Sequence, residues 1–321
     1  MEDHFDKIGG KRYTLLRCPA CGVISTEPRE AVGADWYVKA APIRDQVSRP
    51  DPGEDWRFRE FAADRLPPGK LLDVGCGDGR FLQLAARLGF AGTGFDYDER
   101  TVAQARAKGL TDVHAAEFSA FCASRRPGEF DAATLFDVLE HTPEPAWFLG
   151  EVARLLKPGG HLVLTMPNAF RPTPWGREEH DYPPHHFTRW NPDTMRGFLE
   201  RHGFEVVRQE TGASDLRAYL SAHFFFYRVM PWALKAAKRI LFRGAGSTGG
   251  AETISELYEK GGPRPGLLAD KMRRQRLVDK ARLAFDVIFY PAAAVLAAWY
   301  RLREPRCGDG LYTLARYSGR S

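Results

Sequence analysis

The sequence predicts an α/β fold: a mostly parallel sheet covered on both faces by helices. Two observations carry this. From Lys70 onward, short apolar runs alternate with helix-length amphipathic segments, the pattern of strand–helix units that fold into a parallel sheet. At its start, an apolar strand runs straight into a glycine-rich turn, Leu71-Leu72-Asp73-Val74-Gly75-Cys76-Gly77-Asp78-Gly79. Such turns let backbone approach a ligand at the carboxyl end of a strand in doubly wound sheets.

Taken in order, residues 1–30 hold a short cysteine pair. Residues 31–69 read as a linker, rich in Pro, Asp and Arg, that enters an amphipathic helix over 56–66. Pro67, Pro68 and Gly69 stop that helix. The core, 70–210, then reads strand 71–74, helix 79–88, strand 91–95, helix 99–108 and a weak third strand at 113–115. A fourth strand at 131–136, a helix at 146–156 and a fifth strand at 161–165 follow, then a helix over 194–202 and a strand at 205–207. The alternation breaks over 211–306, where two apolar-basic segments flank a glycine-rich, charged stretch at 244–264. A last strand, 311–315, belongs to the closing segment 307–321 and follows the turn Gly308-Asp309-Gly310.

With 321 residues, 44% of them hydrophobic and 27% charged, the chain is neither disordered nor a disulfide scaffold. The net charge of +5 is uneven. Residues 211–306 hold 17 basic and 8 acidic side chains, and the rest hold 29 against 33. A mildly acidic body therefore carries a basic, aromatic insert, and nucleic acid is not an expected partner. The polar residues 1–11 lack an apolar leader core, so a reducing cytoplasm is the expected compartment.

The glycine turn excludes two phosphate sites. A dinucleotide fingerprint needs a third glycine where Arg80 stands, which also sets back a nicotinamide dehydrogenase, and no Gly-Lys-Ser/Thr follows for a P-loop. What remains is a G-x-G-x-G turn preceded by an acid. Asp96 ends the second strand 21 residues after Gly75, the spacing at which a carboxylate meets a ribose diol. The two elements together point to an adenosine-type ligand, beyond a mere glycine turn with a helix-capping acid.

These residues resemble the class I S-adenosylmethionine-dependent methyltransferases. Phe136-Asp137-Val138-Leu139-Glu140-His141, Leu156-Lys157-Pro158-Gly159-Gly160 and Met166-Pro167-Asn168 are similar to segments of that family. The tract Pro184-His185-His186-Phe187-Thr188-Arg189-Trp190, with Gly203-Phe204-Glu205-Val206-Val207, resembles the branch of ubiquinone-type, sugar and small-molecule methyltransferases. The resemblance implies a Rossmann-like seven-stranded doubly wound sheet with an antiparallel last strand, here with a helical insert before that strand. It implies S-adenosylmethionine as cofactor. Asp73 and the backbone of Gly75 and Gly77 would surround the methionine portion, with Cys76 and Gly79 of the same turn also in the cofactor site, and Asp96 would hold the ribose. Tyr97 would pack on adenine, Glu117 and Phe118 would lie at its edge, and Phe136 and Asp137 would close the pocket near the sulfonium. The base-methylating Asn/Asp-Pro-Pro-Tyr tetrapeptide is absent; Asp181-Tyr182-Pro183-Pro184 has the wrong order.

Methyl transfer is an in-line displacement governed by positioning, and a hydroxyl acceptor also needs a base. His186, His185 and His141 are the candidates, with Tyr182 and His180 on the same loop. The plainer readings are that His141 shapes its loop and that His185 and His186 buttress theirs. Glu178, Glu179 and Asp181 read as solvated loop charges. The expected acceptor is a small, sugar or lipid-linked molecule, methylated at oxygen; a non-catalytic, membrane-associated adenosine-ligand-binding regulator is the alternative.

Cys18-Pro19-Ala20-Cys21 has the spacing of one zinc-ribbon knuckle, but no second such pair exists, and a closed site takes four ligands. A degenerate ribbon without metal is expected, with His4 the speculative third ligand were zinc to bind. In the insert, the uncharged run 287–300 has 14 residues, about 21 Å of helix against a hydrocarbon core of roughly 30 Å. A spanning helix is therefore not expected. Aromatic and basic faces suit either a helical cap over the acceptor site or contact with an anionic membrane surface at its inner face.

Overall fold

The computed structural model describes residues 1–6, 9–30, 54–174, 177, 181–212, 216–229 and 267–319. Expectations for 31–53 and 244–264, and for Glu178, Glu179 and His180, lie outside the described residues. The chain divides into two units, residues 1–171, 178–213 and 306–321 in one, and residues 172–177 and 214–305 in the other.

The first unit is built on a seven-stranded sheet. After an N-terminal meander of β1 (Glu2–Asp6), β2 (Lys11–Arg17) and β3 (Ile24–Glu27), the chain enters α1 (Trp56–Asp64). Asp55 caps that helix by accepting the Arg57 N–H. There follow β4 (Lys70–Val74), α2 (Arg80–Arg87), β5 (Ala91–Asp96), α3 (Glu99–Ala107), β6 (Val113–Ala115), α4 (Phe118–Ala123) and β7 (Phe130–Phe136). A single 3-10 turn, Leu139–His141, precedes α5 (Pro145–Leu155) and β8 (Leu156–Pro167). The short β9 (Thr188–Arg189), α6 (Pro192–Arg201), β10 (Phe204–Thr211) and β11 (Gly310–Tyr317) complete the unit.

The strand order is β10-β11-β8-β7-β4-β5-β6. Strands β4, β5, β6, β7 and β8 pair in parallel, and β11 lies antiparallel between β8 and β10. The expected doubly wound sheet with an antiparallel last strand is present. Its central strands are buried on both faces, as parallel sheets require. Leu72 and Val74 join one apolar cluster with Phe95, Leu135 and Leu164, while Leu71 joins Phe58, Phe61 and Phe81 on the other. The chain leaves β4 for β5 and β6 on one side, then returns to β7 on the other. Doubly wound sheets bind ligands at the carboxyl ends of the strands at such a reversal; here Asp73 stands near the end of β4 and Asp137 directly follows β7.

Three elements differ from the sequence reading. Residues 1–30 form an antiparallel meander, whose β3 pairs with β9 (Ile24 opposite Arg189, Ser25 opposite Thr188). The short helix α4, six residues long, gives too few turns for its period to be read. The Lys157-Pro158-Gly159-Gly160 segment, placed before the strand 161–165 in the sequence reading, is part of the twelve-residue β8. The β7–β8 register shifts beside it, between Phe130 and Ala132.

The second unit contains α7 (Leu216–Phe224), one turn of π-helix at Phe225–Val229, and α8 (Leu267–Arg303), which runs through Pro291. Phe224 stacks on Phe289 at 4.6 Å and on Phe285 at 5.8 Å, and Ser221 donates to Asp286. Within α8, Phe285–Arg303 is 19 residues long and apolar enough to cross a membrane by length and composition. That window exceeds the 14-residue uncharged run because its few charged residues lie at the ends.

Candidate active site

As the glycine turn leaves β4, the N–H groups of Gly75, Cys76, Gly77 and Gly79 are already engaged. Gly75 and Cys76 both donate to the Phe95 carbonyl, at 2.8 and 2.9 Å, and Gly79 donates to Cys76. The Gly77 N–H donates to Asp96 Oδ2 at 2.9 Å, and Asp98 N–H to Asp96 Oδ1 at the same distance. Asp96 thus ties the turn to the end of β5. Each of its oxygens retains lone-pair capacity for a further donor, such as a sugar hydroxyl. A phosphate, by contrast, would meet donors already used and carboxylates in front of it.

Gly75 and Gly77 both adopt left-handed φ, +76° and +53°, which glycine takes without strain. At Gly75 a Cβ would lie 2.7 Å from Val138. At Gly77 a Cβ would meet nothing within 4 Å, so the turn presents bare backbone to open space. Close approach by a ligand is what that absence of side chain permits.

Asp73 is buried and accepts a hydrogen bond from Thr134 Oγ1 at 2.7 Å. Burial pushes its carboxyl up to about 7, and the neighbouring Asp96 adds to the effect. Burial likewise raises Asp96 above the usual carboxylate range, against the backbone N–H groups of Asp98, Gly77 and Tyr97 that favour its ionised form. Two acids that disfavour each other's charge in a buried crevice are suited to a cationic ligand. Cys76 is buried, and desolvation beside Asp73 and Asp96 pushes its thiol far up, so its role is packing.

The remaining expected cofactor residues divide. Tyr97 is 55% exposed beside Asp96, a surface open to an aromatic ligand. Glu117 is the residue before α4, while Phe118 is buried in the core, stacked on Phe148 at 4.0 Å and close to Phe95 and Trp147. Phe136 packs against Phe58 and Phe81. Asp137 has a positive φ of 56°, uncommon for a residue with a side chain and concentrated at functional sites. Arg57 donates to its Oδ2 at 2.5 Å and Thr165 to its Oδ1 at 3.0 Å. Arg57 also holds both oxygens of Asp55. This Arg57–Asp137 link, 80 residues apart in sequence, has no local pattern by which it could have been found.

The three expected bases are brought together. The ring centroids of His141, His185 and His186 lie 4.6 to 4.8 Å apart. His141 ends the 3-10 turn after β7, and its Nδ1 lies 2.6 Å from the His185 carbonyl. A carbonyl only accepts, so Nδ1 carries the proton and the lone pair of the neutral ring resides on Nε2. The N–H groups of His185 and His186 donate to the Tyr182 carbonyl, and that of Phe187 to Glu140. Asp181 corrects the reading of a solvated charge: it is 3% exposed, ion-paired with Arg171, and 3.7 Å from His186 Nδ1. Buried acids need partners, and Arg171 lies ten residues upstream, beyond any helical or strand spacing. Glu140 is buried with neither carboxyl oxygen hydrogen-bonded. Desolvation, with Asp137 nearby, raises its pKa well above the carboxylate range.

The meander braces this loop. Tyr182 donates its hydroxyl to Glu2 at 2.7 Å, stacks on His4 at 4.3 Å and lies under Arg189, itself paired with Glu2 at 3.1 Å. His4 is therefore a stacking partner of Tyr182. Cys18 and Cys21 form the backbone knuckle, with Cys18 N–H donating to Val23 and Gly22 N–H to Cys18. A hydrogen bond from the Cys21 backbone lowers the Cys18 pKa. Among the described residues, neither belongs to a group of three or more candidate metal ligands.

Residues 54–209 match the family model of a methyltransferase domain. A ubiquinone biosynthesis O-methyltransferase from Xanthomonas campestris pv. campestris is 38% identical over 107 residues, 32% of this chain and 45% of the relative. Its Pseudomonas aeruginosa counterpart is 37% identical over 103 residues, 31% and 44% of the two chains. The match thus spans under half the length of these relatives. A methyltransferase from Archaeoglobus fulgidus, described as S-adenosylmethionine-dependent, superposes with a TM-score of 0.50 over 88% of this chain and 99% of its own. At 15% identity, that likeness concerns the fold.

Proposed function

We propose, on the premise that residues 54–209 form a class I S-adenosylmethionine-dependent methyltransferase domain, that the protein methylates a small-molecule acceptor at oxygen. The observation that carries this reading is the gathering of His141, His185 and His186 just beyond β7. The acid-lined glycine turn leaves the neighbouring strand β4 at the same sheet edge. S-adenosylmethionine, when bound, supplies an electrophilic methyl group on a cationic sulfonium. Asp73 and Asp96 offer the negative charge that such a cation needs, the Gly75 and Gly77 backbone lies along the methionine portion, Asp96 holds the ribose, and Tyr97 covers adenine. Asp137, gripped by Arg57 and Thr165, fixes the end of β7. His186, with Nδ1 facing Asp181, receives the acceptor's proton on Nε2. The names of the matched relatives, O-methyltransferases of ubiquinone biosynthesis, favour oxygen as the methylated atom.

The test is incubation of the purified chain with S-adenosylmethionine and a panel of phenols, sugars and lipid-linked phenols. Formation of S-adenosylhomocysteine together with an O-methylated product supports an enzyme. Tight cofactor binding with no product from the whole panel supports the non-catalytic alternative.

We further propose contact with an anionic membrane surface through α8. Leu283, Val287, Val295, Trp299 and Leu302 recur at helical spacing and are exposed, with Ile288 beside them. Arg301 and Arg303 close the helix. An apolar stripe ending in cations is the composition of an interfacial helix.

A further inference from the structure

The donor atoms of His141, His185 and His186 all lie within 4.8 Å of one another, and no other such group occurs among the described residues. We propose that these imidazoles form a binding site for a divalent transition-metal ion of the zinc class, and that its occupation blocks methyl transfer. The site itself is independent of the methyltransferase reading; the block rests on it.

Three nitrogen donors with a fourth position open is the ligand count of catalytic zinc sites. Imidazole nitrogen selects zinc, copper or nickel over the oxygen-seeking magnesium and calcium. The surrounding groups orient the rings as metal sites require. His141 gives its Nδ1 proton to the His185 carbonyl, and His186 turns Nδ1 toward the Asp181 carboxylate at 3.7 Å. The carbonyl fixes His141 in the tautomer that ligates through Nε2, while the Asp181 carboxylate, beyond hydrogen-bond distance of His186, favours a proton on the nitrogen that faces it. Asp181 is held in turn by Arg171, and the turn carrying His185 and His186 is fixed by the Tyr182 carbonyl. Tetrahedral zinc, with bonds of about 2.0–2.1 Å, sets its donors roughly 3.4 Å apart. Loading therefore draws the rings inward by an ångström or so, within reach of side-chain rotation. His141 and His185 are partly exposed, which leaves a path for the ion. The lone pairs that would coordinate the ion are those that would accept the acceptor's proton, so metal and proton compete.

Titration of Zn2+ into the full chain, followed by calorimetry, and of Co2+, followed by its visible absorption, reads the site without turnover. One equivalent of zinc is expected, with cobalt bands of a four-coordinate, nitrogen-rich site. His185→Ala and His186→Ala each lose at least about tenfold in affinity, while a Cys18→Ser/Cys21→Ser double variant keeps it. Binding that survives the histidine variants and disappears in the cysteine variant overturns the assignment, as does no binding at about 100 μM zinc. Thermal melts of the variants separate loss of a ligand from loss of fold. In the transfer assay, stoichiometric zinc is expected to suppress S-adenosylhomocysteine formation reversibly, with chelator restoring it. Full activity with zinc bound overturns the block and leaves the site standing. A protein inactive both with zinc and after chelation fails the methyltransferase reading instead.

Discussion

At the scale of single residues, the proposed chemistry turns on Asp73 and His186. Because burial raises Asp73 to about 7, above the ordinary value near 4, the folded state holds its extra proton between those limits. The ligand-free protein therefore loses stability as pH rises from about 4 to 7, and a cationic ligand binds more tightly over the same window. Thermal melts and cofactor titrations at pH 5 and 8 check this, and Asp73→Asn should flatten both profiles. Replacing His186 with Ala should leave cofactor affinity intact and lower turnover by at least about tenfold. Unchanged turnover on the true acceptor removes it as base. The acids and histidines were legible in sequence, since turn spacing and loop composition carry them. Arg57, Arg171 and the burial of Asp181 were not, because each depends on a partner supplied by the fold rather than by spacing.

Between elements, the N-terminal meander steadies the loop that carries His185 and His186. Tyr182 meets Glu2, His4 and Arg189 at once. Tyr182→Ala should therefore lower kcat several-fold or more, since small displacements of catalytic groups are costly, with cofactor affinity within about twofold. Parallel kinetics and calorimetry read the split; an equal loss in both contradicts a bracing role. The core elements were readable because buried parallel strands and amphipathic helices have distinct periods. Helix α6 begins at Pro192 rather than at 194, because Asn191 caps it through Thr194 with proline in the first turn. The meander strands escaped notice because they are short and partly exposed, and strand β3 finds part of its pairing in residues more than 160 positions away.

For the whole molecule, the uneven charge and the exposed stripe of α8 predict co-sedimentation with anionic vesicles at low salt, weakening as salt screens the attraction. Changing Leu283, Val287, Val295 and Leu302 together to Ser should abolish it, and pelleting that ignores these changes contradicts the membrane proposal. The acid-lined glycine turn between β4 and α2 is the proposed seat for S-adenosylmethionine. Calorimetric titration of the cofactor into the wild-type chain and into Asp96→Ala tests it most directly. The expected result is saturable binding of one cofactor per chain, weakened about tenfold or more in the variant by loss of hydrogen bonds to a charged group. No measurable binding at millimolar cofactor, or an affinity that Asp96→Ala leaves unchanged, would contradict it.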